Sequence, residues 1–260
     1  MIFYLGTNDP FWLWDNPPTH PLFISHRRLA RYKKLKPAQN PWALDSGGFT
    51  ELSMFGEWRT GPTEYIHAIR RYINEIGNLQ WASPQDWMCE PTMLQKTGLT
   101  VTDHHHLTIN NFLELRHQAP DLPIIPALQG WTTDDYHRHI DLYAKAGIDL
   151  FKEPLVGMGS FCRRASFNHL QAMVHQLADN GLKLHGYGVK SDGLPVFGEK
   201  MVSTDSMAWS LTARRAKTRL CGQPHNAQKC ANCRTWATTW ANNVITKIGN
   251  QPVQMELTPT

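Results

Sequence analysis

The sequence predicts an α/β protein and, within that class, a single (β/α)8 TIM barrel. Eight short apolar runs are typical of buried parallel strands, and most of the gaps between them carry the periodicity of amphipathic helices. The length of 260 residues also suits such a barrel, since one unit of this fold takes about 250 residues. No Ser/Gly linker or shift in composition marks a second domain, so residues 1–220 are expected to form a catalytic barrel.

The predicted strands and helices alternate along the chain. The strands are Ile2–Leu5, Leu22–Ser25, Trp42–Asp45, Leu79–Ala82, Ile124–Gln129, Leu150–Val156, Leu182–Val189 and Met201–Asp205. Helical periodicity fills the gaps at Thr63–Ile76, Val101–Gln118, Thr133–Ala146 and Phe167–Asn180. Asp103 is the candidate cap of the second helix, and the run His104-His105-His106 near its start is expected to be exposed to solvent.

The composition excludes a membrane-spanning protein. Hydrophobic residues make up 41% of the chain and include ten tryptophans, enough for a large core. No uninterrupted apolar run reaches the roughly 20 residues of a bilayer span. The opening MIFYLGTNDP lacks the basic region of a secretory signal, so we expect a cytoplasmic protein with no membrane partner.

Basic residues are concentrated in places where a polyanion can bind. Residues 206–255 contain no acidic residue, and residues 26–36 form a basic run with aromatic and apolar residues interleaved. One such run is as typical of a solvated helix face as of a phosphate contact, but two runs favour nucleic acid. The candidate contacts to the nucleic-acid backbone are Arg27, Arg28, Arg163, Arg164, Arg214 and Arg215.

Polar residues follow the predicted strands at the end where barrel enzymes have their active sites. Asp45, Asp86 and Asp205 end or follow three of these strands, and Gln129 ends a fourth. Two carboxylates about 5 Å apart can break a glycosidic bond, one as nucleophile and one as proton shuttle. The third can accept N–H groups of a heterocycle, with Gln129 reading another edge. Helix capping is the alternative role of an Asp in such a loop, and for Asp86 both readings are equally favoured.

The spacing Cys221-x3-His225-x4-Cys230-x2-Cys233 predicts a tetrahedral zinc site. Four protein ligands leave no open position for water, so the zinc ion is expected to be structural. It would fix residues 221–248, a zinc-binding segment and terminal helix packed on the barrel, ahead of a disordered tail at 249–260. The alternative is a set of unliganded thiols that lie close together by chance.

Together these motifs resemble the tRNA-guanine transglycosylase superfamily. The resemblance spans Ile2–Ile248 and is carried by "LDSGGF", "QDWMCEP", "LQG", "GYGV", the Asp that ends the eighth strand and the Cys/His cluster. It is closest to the short DNA-acting branch, the DpdA-like proteins, which are implicated in placing 7-deazaguanine bases in DNA. Relatives of that branch include antiphage DNA glycosylases.

The resemblance implies a role for each matching residue. Asp205 matches the nucleophile that bonds to C1′ of the sugar, and Asp45 matches the general acid/base. The positions implied in base binding are Asp86, Gln129, Ser46, Gly157 and Gly159. The implied substrate is a flipped or single-stranded base in DNA, and a free deazapurine base is the second substrate if the enzyme exchanges bases.

Several functions remain open at this point. If a second base cleaves the covalent bond between the sugar and the enzyme, the result is base exchange. If water cleaves it, the base is excised. A barrel acting on tRNA, a non-catalytic zinc-containing barrel that binds nucleic acid, and a metabolic barrel that holds a phosphate with its Gly-Met-Gly-Ser turn are the alternatives.

Overall fold

A computed structural model describes residues 1–160, 168–189, 198–216 and 218–248. Eight parallel strands form one sheet in the order β4-β3-β2-β1-β8-β7-β6-β5. Their bounds are β1 Ile2–Thr7, β2 Leu22–Ser25, β3 Trp42–Asp45, β4 Leu79–Ala82, β5 Ala127–Leu128, β6 Val156–Met158, β7 Leu184–Gly186 and β8 Ser203–Ser206. The predicted α/β class is confirmed, and the fold is TIM-like.

A backbone contact links the two ends of this strand order. Ala82, the last residue of β4, forms a parallel bridge with Ile124, which lies just before β5. The Ala82 N–H donates to the Pro123 carbonyl at 2.9 Å, and the Ile125 N–H donates to the Ala82 carbonyl at 3.1 Å. The sheet is therefore curled, and the carboxyl ends of its strands face one another.

Helices connect most of the strands. Their bounds are α1 His26–Leu29, α2 Gly48–Phe55, α3 Pro62–Glu75, α4 Pro91–Thr97, α5 Val101–Gln118, α6 Thr133–Lys145, α7 Asn168–Asp179, α8 Ala208–Arg215 and α9 Arg234–Ile248. The four predicted helices correspond to α3, α5, α6 and α7. Across the described ranges, no helix has both the length and the apolar character to cross a membrane.

The predicted cap of α5 is wrong by three residues. Thr100 is the N-cap, and its side chain accepts the Asp103 N–H at 3.2 Å. The Asp103 carboxylate accepts the Thr100 N–H at 2.9 Å in return. Asp103 thus completes a capping box as its third helical residue.

Four predicted strands, β5 to β8, are shorter in the structure, and the first three of them for identifiable reasons. Pro126 has no N–H to give to a ladder, so β5 begins at Ala127. Residues 150–152 form a 3-10 turn because the Asp149 side chain accepts the Phe151 N–H, and β6 begins only at Val156. At the end of β7, Gly188 takes the left-handed conformation with φ +59°.

Alternating residues of the strands face two different apolar layers. Tyr4, Phe23 and Ala43 pack with Trp81 inside the curled sheet. Their chain neighbours Leu5, Ile24 and Leu44 join the larger layer between the sheet and the helices. Side chains therefore alternate between the two layers along each strand, and the residues at the carboxyl ends of the strands lie at one edge of the sheet.

The expected exposure of the histidine run is wrong for two of its three residues. His104 and His105 are both fully buried, because their side chains face the segments that follow β4 and β5. His104 Nδ1 lies 2.7 Å from the Met88 carbonyl, and His105 Nε2 lies 2.8 Å from the Gln129 carbonyl. Both imidazoles therefore hold the loops that follow the strands.

Candidate active site

A cavity of about 690 Å³ lies at the carboxyl ends of the strands. Residues at or after the ends of all eight strands contribute to its lining. They include Thr7, Ser25, Asp45, Asp86, Gln129, Ser160, Gly188 and Asp205. The three predicted carboxylates and the predicted glutamine thus meet in one cavity.

Asp45 is the last residue of β3 and is followed by a tight turn into α2. The Gly47 N–H donates to Asp45 Oδ1 at 3.1 Å, with Gly47 in the left-handed conformation at φ +89°. Burial raises the pKa of Asp45 to about 6, and the nearby Asp205 carboxyl also raises it. Hydrogen bonds from the Gly47 N–H and the Ser25 side chain act in the opposite direction. Asp45 can therefore both hold and release a proton near neutral pH.

Asp205 lies on β8 beside Tyr4 of β1 and is buried. Its Oδ1 accepts the Gly188 N–H at 2.8 Å. The His185 Nε2 lies 3.4 Å from the same oxygen. Contacts from β7 and the turn after it thus hold this carboxyl group at the cavity.

A buried hydrogen-bond chain fixes the side chain of Gln129. The Gln129 Nε2 donates to Asp86 Oδ2, and the Ser160 hydroxyl donates to Gln129 Oε1 at 2.8 Å. The Cys89 N–H donates in turn to Ser160 Oγ at 3.2 Å. The orientation of the Gln129 amide group is therefore determined, and with it the donors and acceptors that a ligand would meet.

Asp86 does not cap a helix. The next helix, α4, begins at Pro91 after Glu90, which contradicts the capping alternative for Asp86. Burial raises the pKa of Asp86 to about 7, and the Asp45 carboxyl raises it further, while the Gln129 hydrogen bond lowers it. The cavity thus holds a second carboxyl group that titrates near neutral pH.

Sequence reasoning missed the part that Ser160 plays. It is buried and has a left-handed backbone, with φ +61°, a conformation that a residue with a Cβ rarely adopts. Its only signal in the sequence is its position directly after the Gly-Met-Gly turn.

The predicted base-binding glycines differ in position. Gly159 lines the cavity, and a Cβ built on it would lie 2.2 Å from Gln129 Nε2, so a larger residue would displace the Gln129 side chain. Gly157 is not part of the lining; it packs against Tyr187, whose Oη would lie 2.3 Å from an added Cβ. Ser46 is buried and does not line the cavity either.

The predicted arginines also separate into groups. Arg27 and Arg28 line the cavity together with Arg31. Arg27 pairs with the buried Glu51, and Arg28 Nε donates to Asn8 Oδ1 at 3.0 Å. Arg214 and Arg215 are exposed in the last turn of α8 and do not line the cavity. Two further candidates, Arg163 and Arg164, lie outside the described residues, as does the predicted tail at 249–260.

Comparison with known proteins identifies the family. The family model described as DpdA, DeoxyPurine in DNA protein A, matches residues 1–256. The chain belongs to the DpdA family. No curated protein matches it. Among solved structures it is similar to KGPDC from Streptococcus mutans, at 12% identity over 95% of this chain and 98% of that chain, with a TM-score of 0.39.

This DpdA family member has a second cluster of reactive side chains after α8. Cys221 Sγ lies 3.2 Å from His225 Nε2, 3.6 Å from Cys230 Sγ and 3.5 Å from Cys233 Sγ. The ligand atoms of Cys221, His225 and Cys230 all lie within 4.8 Å of one another. Two thiolates on one tetrahedral zinc ion, each about 2.3 Å from it, are about 3.8 Å apart. The donor set therefore fits a metal ion.

The cluster also supports the helix that follows Asp205. Cys230 and Ala231 pack against Ala213 of α8, and the Ser210 hydroxyl donates to the Ala231 carbonyl at 2.7 Å. Since α8 begins three residues after Asp205, a metal ion held by the cluster would help to fix the end of β8.

Proposed function

We propose that this protein exchanges a nucleobase in DNA, by breaking the N-glycosidic bond through a covalent bond between the sugar and Asp205. The observation that carries the proposal is that Asp45 and Asp205 line one cavity. Their carboxyl groups are close enough that Asp205 adds to the rise that burial causes in the pKa of Asp45. The family description, DeoxyPurine in DNA protein A, supports DNA as the polymer and a purine-like base as the substrate.

The two carboxyl groups can divide the work as a retaining reaction requires. The Asp205 carboxylate attacks C1′ while the bond from C1′ to the base breaks, and its electron pair leaves with the base. Protonated Asp45 gives its proton to the departing base, which is then released as a neutral molecule. Positive charge that develops at C1′ is stabilised by the Asp205 carboxylate.

The second half of the reaction reverses the first with another base. The incoming base loses a proton to Asp45, its nitrogen bonds to C1′, and the bond from C1′ to Asp205 breaks with its electron pair returning to the carboxylate. Two displacements at C1′ give overall retention of configuration. Water in place of the incoming base would leave an abasic site.

Asp86 and Gln129 would read the edge of the base. Besides the N–H and the oxygen of their mutual hydrogen bond, Gln129 has a second N–H and Asp86 a second carboxyl oxygen with which a base edge can bond. Gly159 lets the base approach the backbone beside Gln129. The cavity volume of about 690 Å³ falls in the range of about 300–1,000 Å³ that is usual for small-ligand sites.

A base must leave the stacked helix to reach this cavity, at a cost of a few kcal/mol. Phosphate contacts from Arg28 and Arg31, which line the cavity, would offset part of that cost. We propose Arg214 and Arg215 as more distant phosphate contacts.

The Cys/His cluster is proposed to hold a structural zinc ion. The zinc ligands would be Cys221, His225, Cys230 and Cys233, and the ion would stabilise residues 221–248 against the catalytic barrel at 1–220. The expected compartment is the cytoplasm, where thiols stay reduced.

Mass spectrometry of nucleosides and free bases tests the proposal. Purified protein is incubated with DNA and an isotope-labelled 7-deazapurine base, with Asp205→Asn as the matched control. Label in the DNA of the wild type alone supports exchange. Free base with alkali-labile sites would mean excision, and label in tRNA but never in DNA would overturn the choice of polymer.

A further inference from the structure

His185 is a buried imidazole that lies beside the proposed nucleophile. It is on β7, is fully buried, and is surrounded by Trp81, Tyr187 and Phe23, with ring centroids 4.5, 4.9 and 5.7 Å away. Its Nδ1 lies 2.8 Å from Ser203 Oγ, and its Nε2 lies 3.4 Å from Asp205 Oδ1. Both contacts reach the neighbouring strand β8.

The surroundings determine which nitrogen of His185 carries the proton. Burial lowers the pKa of His185, although the Asp205 carboxyl raises it, so the imidazole is neutral and has one N–H. A carboxylate accepts hydrogen bonds only, and a nitrogen lone pair directed at it would be repelled. The proton therefore belongs on Nε2, and Nδ1 accepts the hydroxyl hydrogen of Ser203.

The two groups that approach Asp205 converge on one of its oxygens. In the part of the chain that the structure describes, both the Gly188 N–H and His185 Nε2 are directed at Oδ1. The 3.4 Å separation from Nε2 is longer than the roughly 2.7–3.2 Å of a formed N–H···O bond. Catalytic hydrogen bonds are often long without substrate and tighten in the complex.

We propose that His185 is a positioning residue that, with the Gly188 N–H, holds Asp205 Oδ1 so that Oδ2 is the oxygen that attacks C1′. The proposal rests on the proposed base exchange. A carboxylate held at one oxygen cannot rotate out of line, and the correct geometry persists until the sugar arrives. Ser203 has an indirect part, because its hydroxyl sets the tautomer of His185.

Two substitutions of His185 test this role in steady-state base exchange. His185→Met removes the donor but keeps an apolar side chain of similar length, and His185→Gln restores an N–H near Oδ1. We expect His185→Met to lower kcat about tenfold or more with KM within about twofold, because a hydrogen bond to a charged group is lost. His185→Gln should recover most of the loss. Equal kcat for His185→Met and wild type, or no recovery with Gln in a folded protein, would overturn the role.

Trp42→Phe is the control for damage to the fold. Trp42 is also fully buried, begins β3 at the end opposite to Asp45, and its Nε1 donates to the Gly77 carbonyl at 2.7 Å. Its Tm should fall, because a buried hydrogen bond is lost, without the same loss of kcat. A loss of kcat that follows Tm in both variants would reduce His185 to a structural residue.

NMR of the 15N-labelled imidazoles gives a readout that does not need activity. We expect His185, assigned with the His185→Gln variant, to carry its proton on Nε2, and the Nε2–H resonance to move in Asp205→Asn. A proton on Nδ1 would overturn the proposal even in an active enzyme. A proton on Nε2 in a protein without base exchange on any DNA would instead refute the proposed function.

Discussion

Asp86→Asn is expected to make the protein more stable at alkaline pH while it removes activity. In the folded protein, burial and the Asp45 carboxyl raise the pKa of Asp86 from 3.8 to about 7. Between those pH values the folded state binds a proton that the unfolded state has released, so stability falls as pH rises. The difference of about three pH units corresponds to a free-energy cost on the order of 4 kcal/mol once both states are ionised.

Asparagine has the shape of aspartate but cannot ionise, so the substitution removes this cost. The Gln129 Nε2 can still donate to the side-chain oxygen at position 86, as it does to Asp86 Oδ2. We therefore expect Asp86→Asn to gain on the order of 4 kcal/mol at about pH 8 and almost nothing at about pH 4. Base exchange should fall at both pH values, because an edge-reading carboxyl group is lost.

Urea unfolding followed by tryptophan fluorescence, at equal metal content, measures this difference. Asp121→Asn is the matched control: Asp121 is exposed and pairs with Arg70 at 2.8 Å, which holds the pKa of its carboxyl below the ordinary value. That variant should lose a little stability as pH rises above its pKa, the opposite sign. A gain for Asp86→Asn that is absent at about pH 8, or equal at both pH values, would refute the reasoning.

Three further outcomes follow from the same contacts. Asp205→Asn should lower base exchange about a thousandfold or more, with DNA affinity in gel retention kept within about twofold; unchanged exchange would exclude Asp205 as the nucleophile. Gly159→Ala places a Cβ 2.2 Å from Gln129 Nε2, so KM for the base should rise about tenfold or more, and an unchanged KM would place base reading elsewhere. Cys230→Ser should lower the bound zinc, measured by inductively coupled plasma mass spectrometry, and should lower Tm by about 5 °C or more. An unaltered zinc content would remove Cys230 from the ligand set.

The sequence predicts the site where parallel-sheet geometry alone brings residues together. Asp45, Asp86, Gln129 and Asp205 lie far apart in the chain, yet each ends or follows a strand, and parallel strands end at one edge of the sheet. Counting strands was sufficient for this part, even where the strand bounds were wrong. The role of Gly159 in base binding is implied by the family resemblance.

The contacts that orient these groups could not be read from local pattern. Ser160 bonds to Gln129 only because its backbone takes a left-handed conformation, which serine is not expected to adopt. His105 holds the Gln129 carbonyl from α5, a contact across 24 residues in a helix whose apolar face is weakly marked. Such contacts depend on how helices, strands and loops pack together, so they cannot be predicted from the spacing of residues in the sequence.

The roles of the carboxyl groups follow from their different surroundings. Asp45 and Asp86 are carboxyl groups whose pKa values burial raises to about 6 and about 7, so each can carry a proton near neutral pH. Asp205 accepts an N–H from Gly188 and lies beside His185, and these contacts hold the group that is proposed to attack. Different environments for neighbouring acids are how a site separates a proton donor from a nucleophile. A substitution at His185, which does not line the cavity, should therefore alter the reaction through Asp205 and not through contact with the substrate.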